Sequence, residues 1–431
     1  MPEQETPGQR DSGIPAWRLL ARLAVIAVVT AGGAAATALA AAGGFAAGGP
    51  KRAARLGYRG LARTVQALGP TFVKFGQTSS TRRDALPAAM ADAMAALHDS
   101  VRPMSRRHRA RALREAGIAE LAEVETDPVA CGSIACVYRG VLTDGREVAV
   151  KLKRPGIEPR MRADLALLQG MMRFAERLPS LRGMPMADLI GYISTAILGQ
   201  LDFAREARNI ARLRACLASV PQIRVPAVYP ELSAPDCLIF EYLPQLDRTA
   251  PVRLPPDVRA GLADRVLQAA NRMMFVDGFV HCDLHPGNVY LTGDQRVVIL
   301  DAGYCVQLPE RVRDLIAEFF ACLLDGDGRR CGEIILQSAV SPGRADRETF
   351  VEGMIAIVGE HGGPGATFDM KRFGDAVFKL QQAHGIYAAS DFAFPLMALS
   401  TLDGTVRGFS ESVDFQRVGA RDQRAGGPAR P

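Results

Sequence analysis

The chain has 431 residues, of which 48% are hydrophobic and 23% charged, with a net charge of +6 and a pI near 9.0. That length accommodates two or three packed units, and the composition excludes a disordered chain. Its basic clusters come without an aromatic stacking platform or a reading helix, which excludes nucleic acid as the expected partner.

Residues 1–22 read as a flexible tail. Residues 23–50, LAVIAVVTAGGAAATALAAAGGFAAGGP, hold no charged side chain and exceed the ~20 residues that cross a bilayer core. Their Ala and Gly content weakens insertion relative to a Leu-rich span. A transmembrane span or membrane hairpin is one reading, and a low-complexity linker or secretion signal the other, although a cleaved signal has a shorter apolar core. No Asp or Glu lies between Asp11 and Asp84, while Lys51, Arg52, Arg55, Arg59 and Arg63 crowd the C-terminal flank. The positive-inside rule then leaves the large C-terminal part in the cytoplasm, with an anionic membrane surface as a partner. A second basic cluster, SRRHRARALR, occupies residues 105–114.

Residues 51–115 form a helical extension in which Lys74 and Gln77, three apart, share one helix face. A nucleotide-binding small lobe is expected over residues 116–243. It begins with the hairpin ACGSIACVYRGVL, where Ala130, Gly132 and Ala135, with Ser133 between and Val137 after, occupy the positions of a phosphate-binding G-x-G-x-x-G-x-V loop. Such a loop is a weak signal alone; its weight comes from lying the correct distance before the strand GREVAVK. That strand ends at Lys151, which suits contact with α- and β-phosphates from a rigid element. Residues 156–199 read as inserted helices, and the helical pattern of residues 200–213 offers Glu206 to orient the lysine. The strand CLIFEYLP brings Phe240 behind an adenine ring and the backbone from Glu241 to Leu243 to its edge.

The large lobe is expected over residues 244–410, followed by a flexible tail at 411–431. Its segment HCDLHPGNVYLTGDQRVVILDAG, residues 281–303, is the most informative in the chain. Asp283 stands where kinases position the attacking hydroxyl, and Asn288 and Asp301 stand where they hold magnesium through hard oxygen ligands. The apolar runs Val289–Leu291 and Val297–Leu300 flank a Gly293-Asp294 turn and read as a hairpin that fixes the ligand spacing. His281 reads as a support for the loop. No A-P-E segment follows, Cys282 replaces the Arg that would read an activation-loop phosphate, and a helix begins near Pro309. Peptide phosphorylation is therefore disfavoured. The eight cysteines form no C-x-x-C pair and are expected to be reduced, buried thiols.

Together these motifs resemble the UbiB/AarF-type atypical kinase-like family over about residues 60–330. The most specific part is K-x-G-Q at Lys74, Gly76 and Gln77, trailed by S-x-R-x-D-x-L-P at Ser80, Arg82, Asp84 and Pro87. The resemblance implies an α+β, bilobal protein-kinase-like fold with a helical N-terminal extension folded over the active site. It also implies ATP and Mg2+ as cofactors, with hydrolysis or phosphoryl transfer to a lipid-like or isoprenoid acceptor of a quinone pathway. The rival readings are a non-catalytic, ATP-dependent scaffold and a small-molecule phosphotransferase, the latter disfavoured by the K-x-G-Q extension. The assembly left open is a homodimer or a complex of lipid-biosynthetic enzymes. Two departures stand out. The family's Ala before the loop serine is Gly132, and its E-x-D motif reads Gln200-Leu201-Asp202, so the expected acidic partner of Lys74 becomes a neutral amide.

Overall fold

The computed structural model describes residues 14–74, 103–177, 186–244, 246, 253–341, 346–363 and 368–410. Gly76, Gln77 and the S-x-R-x-D-x-L-P residues lie outside the described residues. The chain opens with α1 (Ala16–Leu68), which is folded back on itself. Gly48 and Gly49 leave the helical conformation, Gly49 with φ +72°, and Pro50 starts the return arm. The arms, 16–47 and 50–68, pack antiparallel. A methyl group on Gly33 would collide with Thr64, and one on Gly60 with Thr37, so small residues set the close approach. The expected flexible tail at 1–22 is thus helical from Ala16 onward, because Arg22 is anchored.

That anchor closes the base of the hairpin. Asp164, fully buried on α3 (Ile157–Ala175), pairs with the Arg22 guanidinium and accepts a 2.7 Å hydrogen bond from Thr71. Arg22 also donates to the Leu68 carbonyl, which Arg160 reaches at 2.8 Å. The expected insertion is two helices, α3 and α4 (Met186–Gly199). Arg106–Ala116, which is α2, carries the second basic cluster, and part of its charge is already used. Arg109 donates to the Val124 and Glu125 carbonyls, and Arg111 pairs with Glu115.

The small lobe is built on an antiparallel sheet in the order β1 (Leu121–Val124), β3 (Ala135–Leu142), β4 (Glu147–Lys153), β6 (Cys237–Glu241), with the two-residue β2 (Ala130–Cys131) on β3. Side chains alternate between faces with a period of two. On β4, Val148, Val150 and Leu152 therefore join Tyr138 and Ile239 in a core packed near α2, and Lys151 points to the opposite face. There lies α5 (Phe203–Leu217), capped by Asp202, whose side chain accepts from the Arg205 amide. Its buried positions Phe203, Ala207, Ile210, Leu213 and Leu217 form one apolar stripe, and Glu206 is the polar member of that stripe. Cys131 and Cys136, paired across β2 and β3, are joined in a disulfide, which departs from the expectation of reduced thiols at these two positions. The other six cysteines are free.

In the large lobe α6 (Pro256–Asn271) runs through the core and ends in a wide π turn at Arg272–Val276. Two small sheets carry the polar segment. β7 (Phe279–His281) pairs with β10 (Cys305–Gln307), and the hairpin β8 (Val289–Leu291) and β9 (Val297–Ile299) takes β5 (Ile223–Arg224) as a parallel third strand. Beneath them pack α7 (Glu310–Asp325), α8 (Gly328–Ser338), α9 (Arg347–His361), α10 (Met370–His384) and α11 (Ser390–Phe409), with Phe319 meeting Phe320 and Phe392 edge-on. The short pair β11 (Ala339–Ser341) and β12 (Tyr387–Ala388) ties α8 to α11. Breaking the hairpin anchor should be costly. Arg22→Leu leaves the Asp164 carboxylate buried without its cation, an expected loss of about 3–5 kcal/mol. Adding Asp164→Leu should recover most of that loss. Denaturant midpoints of both variants provide the check, and equal losses would remove the ion pair as the cause.

Candidate active site

Lys151 stands at the cleft between the lobes. Its ammonium donates to Glu206 Oε1 at 2.6 Å and to Asp301 Oδ2 at 2.9 Å, so β4, α5 and the end of the β8–β9 hairpin meet at one cation. Burial opposes the Lys151 charge, and the Asp301 and Glu206 carboxylates outweigh it, holding its pKa above the ordinary lysine range. Asp301 is likewise opposed by burial, yet Lys151 and the Gly303 amide, at 2.9 Å from Oδ1, keep its carboxyl below the ordinary range. Burial dominates at Glu206. Its second oxygen, Oε2, has no protein partner, and its pKa is pushed up to about 7.

The expected hydroxyl-positioning residue, Asp283, lies across the cleft. Asn288 donates its side-chain amide to the Asp283 carbonyl at 2.8 Å, which leaves the Asn288 oxygen as the atom turned to other work. His281 organises both ends of the segment. The Asp283 amide donates to His281 Nδ1 at 3.1 Å, so the ring proton resides on Nε2 and is donated to the Asp301 carbonyl at 2.5 Å. Burial lowers the His281 pKa, consistent with that neutral tautomer. The contact also secures Asp301 in a left-handed conformation, φ +54°, that non-glycine residues rarely adopt. Thr405 of α11 donates to the Leu284 carbonyl at 2.8 Å and braces the loop from the far end of the lobe.

Lys74 of the extension reaches this loop directly. Its ammonium donates to Asp283 Oδ2 at 3.1 Å. Burial raises the Asp283 pKa and the Lys74 and His285 charges lower it, with a net shift downward. The expected contact was with Gln200, the neutral residue at the family's Glu position. Gln200 instead packs its side chain near Gly303, two residues past Asp301. Asp202 serves as the N-cap of α5 and thereby sets the register of Glu206.

The candidate phosphate-loop residues lie on β2, β3 and the turn between them. Ala130 faces Val137, Gly132 and Ser133 lie in the turn, and Ala135 opens β3, with Ser133 and Ala135 buried. Phe240 lies on β6 opposite Ala149. Within the backbone from Glu241 to Leu243, expected at an adenine edge, the Glu241 amide is engaged by the Ala227 carbonyl at 2.8 Å, and the Glu241 carboxylate holds Arg224 at 2.6 Å. Leu243, in the linker beyond β6, lines a cavity of about 230 Å³ with Arg224, Tyr242 and Arg296, on a surface that none of Lys151, Asp283 or Asp301 lines.

A family model for the ABC1 atypical kinase-like domain matches residues 96–335 of this chain. The chain belongs to that family. An ABC1 relative named probable protein kinase UbiB, from Pseudomonas entomophila, is 32% identical over 298 residues, covering 66% of this chain and 55% of its own length. The UbiB protein of Azotobacter vinelandii is 32% identical over 290 residues, and the chain spans 54% of it. An uncharacterized protein of Synechocystis is 30% identical over 306 residues, covering 66% of this chain and 74% of that protein. Among solved structures, the Rv3197–erythromycin complex of Mycobacterium tuberculosis superposes with a TM-score of 0.51 at 21% identity, over 78% of this chain and 90% of that one, a likeness of fold.

In this ABC1 domain the oxygen set suits Mg2+. Among the described residues no cluster of three or more His, Cys, Asp or Glu could enclose a metal alone. Asn288 and Asp301 would supply hard oxygens and leave the remaining positions to phosphates and water, the usual arrangement for magnesium. Two positioning residues escaped the sequence reading. Asn209, one turn beyond Glu206 on the same face of α5, donates to the Ala302 carbonyl at 2.9 Å, a spacing that helical periodicity could have flagged. His285, two residues after Asp283, accepts from the Gly287 amide at 2.9 Å and shapes the turn. Glu206 gives the site a pH signature. A carboxyl at about 7 when folded and near 4.5 when free holds its proton preferentially in the native state. Its stabilising contribution is therefore full below about pH 4.5 and lost as pH rises through about 7. Unfolding free energies across about pH 5 to 8 should decline more steeply in the parent than in Glu206→Gln, and identical slopes would contradict the shift.

Proposed function

We propose that the protein binds Mg-ATP in the interlobe cleft and either hydrolyses it or passes its γ-phosphate to a small lipid-like or isoprenoid acceptor at a membrane. The supporting observation is the ammonium of Lys151 held between Glu206 and Asp301, with Asp283 and Asn288 on the facing loop. On this reading Lys151 exchanges Asp301 for the α- and β-phosphates while Glu206 keeps it oriented. Asp301 and Asn288 would hold a magnesium ion, whose charge would be available to a transferring phosphoryl group, and Asp283 would receive the proton of the attacking hydroxyl. The Lys74–Asp283 pair favours a second reading, a nucleotide-dependent scaffold, because it occupies the carboxylate that attack requires. Asp301→Asn separates the two from a structural role. Mg-dependent nucleotide turnover should fall by about a hundredfold or more with the far-UV spectrum unchanged, and turnover equal to the parent's would overturn the assignment. Failure of the parent to turn over ATP that it binds would favour the scaffold. Gly132→Ala, which meets only the Ala135 carbonyl at 3.6 Å, and Gln200→Glu should each lower basal turnover if these departures loosen the site.

The hairpin α1 supports the membrane part of the reading. One helix among the described residues is apolar and long enough to cross a membrane. Its first arm exposes Trp17, Leu20, Val28, Leu39 and Phe45, on the side turned away from the second arm. The second arm carries exposed Arg55, Arg59 and Arg63 at successive helical turns, an arrangement costly in hydrocarbon and favourable beside lipid phosphates. An in-plane anchor follows, with the first arm in the acyl boundary and the second at headgroup level, in place of a span. Flotation with vesicles containing phosphatidylglycerol should recover the full chain at low salt. A chain beginning at Lys51 should bind more weakly and lose that binding as salt rises. Alkaline extraction should release the full chain; resistance to it would indicate a span.

A further inference from the structure

The turn that would cradle the nucleotide phosphates is closed by sulfur. Cys131 and Cys136 face each other across β2 and β3, with α-carbons 4.2 Å apart, and their disulfide bounds a turn of four residues, Gly132 to Ala135. The 4.2 Å approach is the closer of the two spacings of an antiparallel ladder, where opposed side chains touch. Beside the disulfide, two backbone hydrogen bonds close this neck, from the Gly132 amide to the Ala135 carbonyl at 2.8 Å and from the Val129 amide to the Val137 carbonyl at 2.9 Å. β2 is two residues long and hangs from one edge of the sheet, Ala130 is exposed, and Gly132 lacks a side chain with which to pack. On the far side of the turn Arg154 gathers three atoms. Its amide donates to the Ile134 carbonyl at 2.9 Å, its Nε to the Gly132 carbonyl at 3.1 Å, and its terminal nitrogen to Cys136 Sγ at 3.4 Å.

We propose that Cys131 and Cys136 are a reversible thiol–disulfide modification site that sets the nucleotide affinity of the phosphate loop. The two sulfurs differ in the way such a site requires. Cys131 is partly exposed, whereas Cys136 is fully buried against Arg154. An incoming small-molecule thiolate attacks Cys131 Sγ, forming a mixed disulfide, and the Cys131–Cys136 bond breaks with its electron pair on Cys136. The Arg154 guanidinium stabilises that thiolate, which makes Cys136 the better leaving group. A second thiolate then attacks the outer sulfur of the mixed disulfide, releasing a low-molecular-weight disulfide and leaving Cys131 reduced. The reverse sequence, driven by a low-molecular-weight disulfide, restores the bond, so two electrons and two thiols balance in each direction.

The inference rests on the nucleotide-binding reading, and its sign follows from the geometry. With the bond closed, the neck cannot splay and the turn is presented to the phosphates already ordered. With it open, the two-residue strand frays and binding must order it. The test uses the full chain equilibrated in glutathione buffers of graded ratio. Peptide mapping by mass spectrometry reports the 131–136 bond, and a fluorescent ATP analogue with Mg2+ reports affinity. The bond should open and close reversibly, with the oxidised protein binding about three- to tenfold more tightly. Cys131→Ala should show the reduced affinity in every buffer. The double Cys131→Ala, Cys136→Ala variant repeats the comparison without an orphaned buried thiol, and Cys216→Ala should leave the response intact. Failure of the bond to form, an affinity unchanged between the two states, or weaker binding when oxidised would each overturn the proposal. Absence of nucleotide binding in both states, with the bond still forming, would instead count against the nucleotide reading and with it this role for the bond.

Discussion

The ammonium of Lys151 sits where the small-lobe sheet, α5 and the large-lobe loop converge, and its two carboxylate partners belong to different lobes. Removing charges from water costs several kcal/mol per ion, and only close, well-directed pairing offsets it. Glu206 is 2% exposed, so without the lysine its carboxylate would be buried uncompensated. Much of the local architecture holds that distance. The alternation of β4 turns Lys151 away from the core that holds Val150 and Leu152, the Asp202 cap fixes where α5 begins, and the stripe from Phe203 to Leu217 fixes how it rolls. Lobe closure is thereby coupled to ion pairing, and a ligand that competes for Lys151 must also satisfy Asp301. A magnesium nucleotide offers both, an anion to the lysine and a cation to the aspartate, which is why this triad suits that ligand better than a simple anion.

The extension is fixed to the same centre through a short path. Leu68 accepts from Arg22 and Arg160, Thr71 donates to Asp164, and Lys74 reaches Asp283, so seven residues touch the hairpin, the inserted helix α3 and the loop expected to carry the chemistry. The position of Lys74 is therefore set by α3 as much as by its own helix. Asp164 is fully buried, and its partners are Arg22 of the hairpin and Thr71 at the end of the Leu68–Thr71 segment. A lysine held this way enters the cleft as a fixed feature of the surface.

Much of the fold and the spacing of the candidate site could be read in the sequence because its ligands lie close together along the chain. Asp283, Asn288 and Asp301 are separated by one loop and one hairpin, and the β8–β9 hairpin has the expected limits to within a residue. Lys151 and Glu206 were found through periodicities of two and near four, which are local signals. What escaped is long-range or has no periodic signature. Arg22 meets Asp164 across 142 positions, and no local pattern encodes that pairing; the entry of Lys74 into the pocket was expected through the family resemblance, but its partner there, Asp283, lies 209 positions away. The cysteine pair has four intervening residues, a spacing without a motif, and only the register of β2 on β3 makes the two opposite. The hairpin fold of α1 was partly legible. Gly48, Gly49 and Pro50 are strong breakers, but in a run of Ala and Gly they look like more of the same composition. The engagement of the Glu241 amide has no local signature either, since the carbonyl that takes it, Ala227, belongs to an irregular segment that no pattern places beside β6.

Charge balance gives Gln200 a meaning beyond the loss of an acid. Among the described residues the cleft holds Glu206, Asp283 and Asp301 against Lys74 and Lys151, an arrangement with one excess negative charge when every group is ionised, and burial moves Glu206 toward neutrality. A carboxylate at position 200, beside Gly303, would be a fourth acid in this pocket. It would compete with Asp283 for Lys74 and repel Asp301 across a short, partly desolvated gap, where Coulomb terms are far larger than in water. The neutral amide removes both effects. Lys74 rests on Asp283 without that competitor, and the described part of the pocket stays closer to neutral, as the proposed anionic nucleotide would require. The same substitution therefore has two opposed consequences: it lowers the repulsion an incoming phosphate meets, and it lets a lysine cover the group proposed to receive the proton. Which consequence dominates turns on whether Lys74 follows the phosphates once they arrive, and its anchoring through Thr71 and Asp164 limits how far it can move.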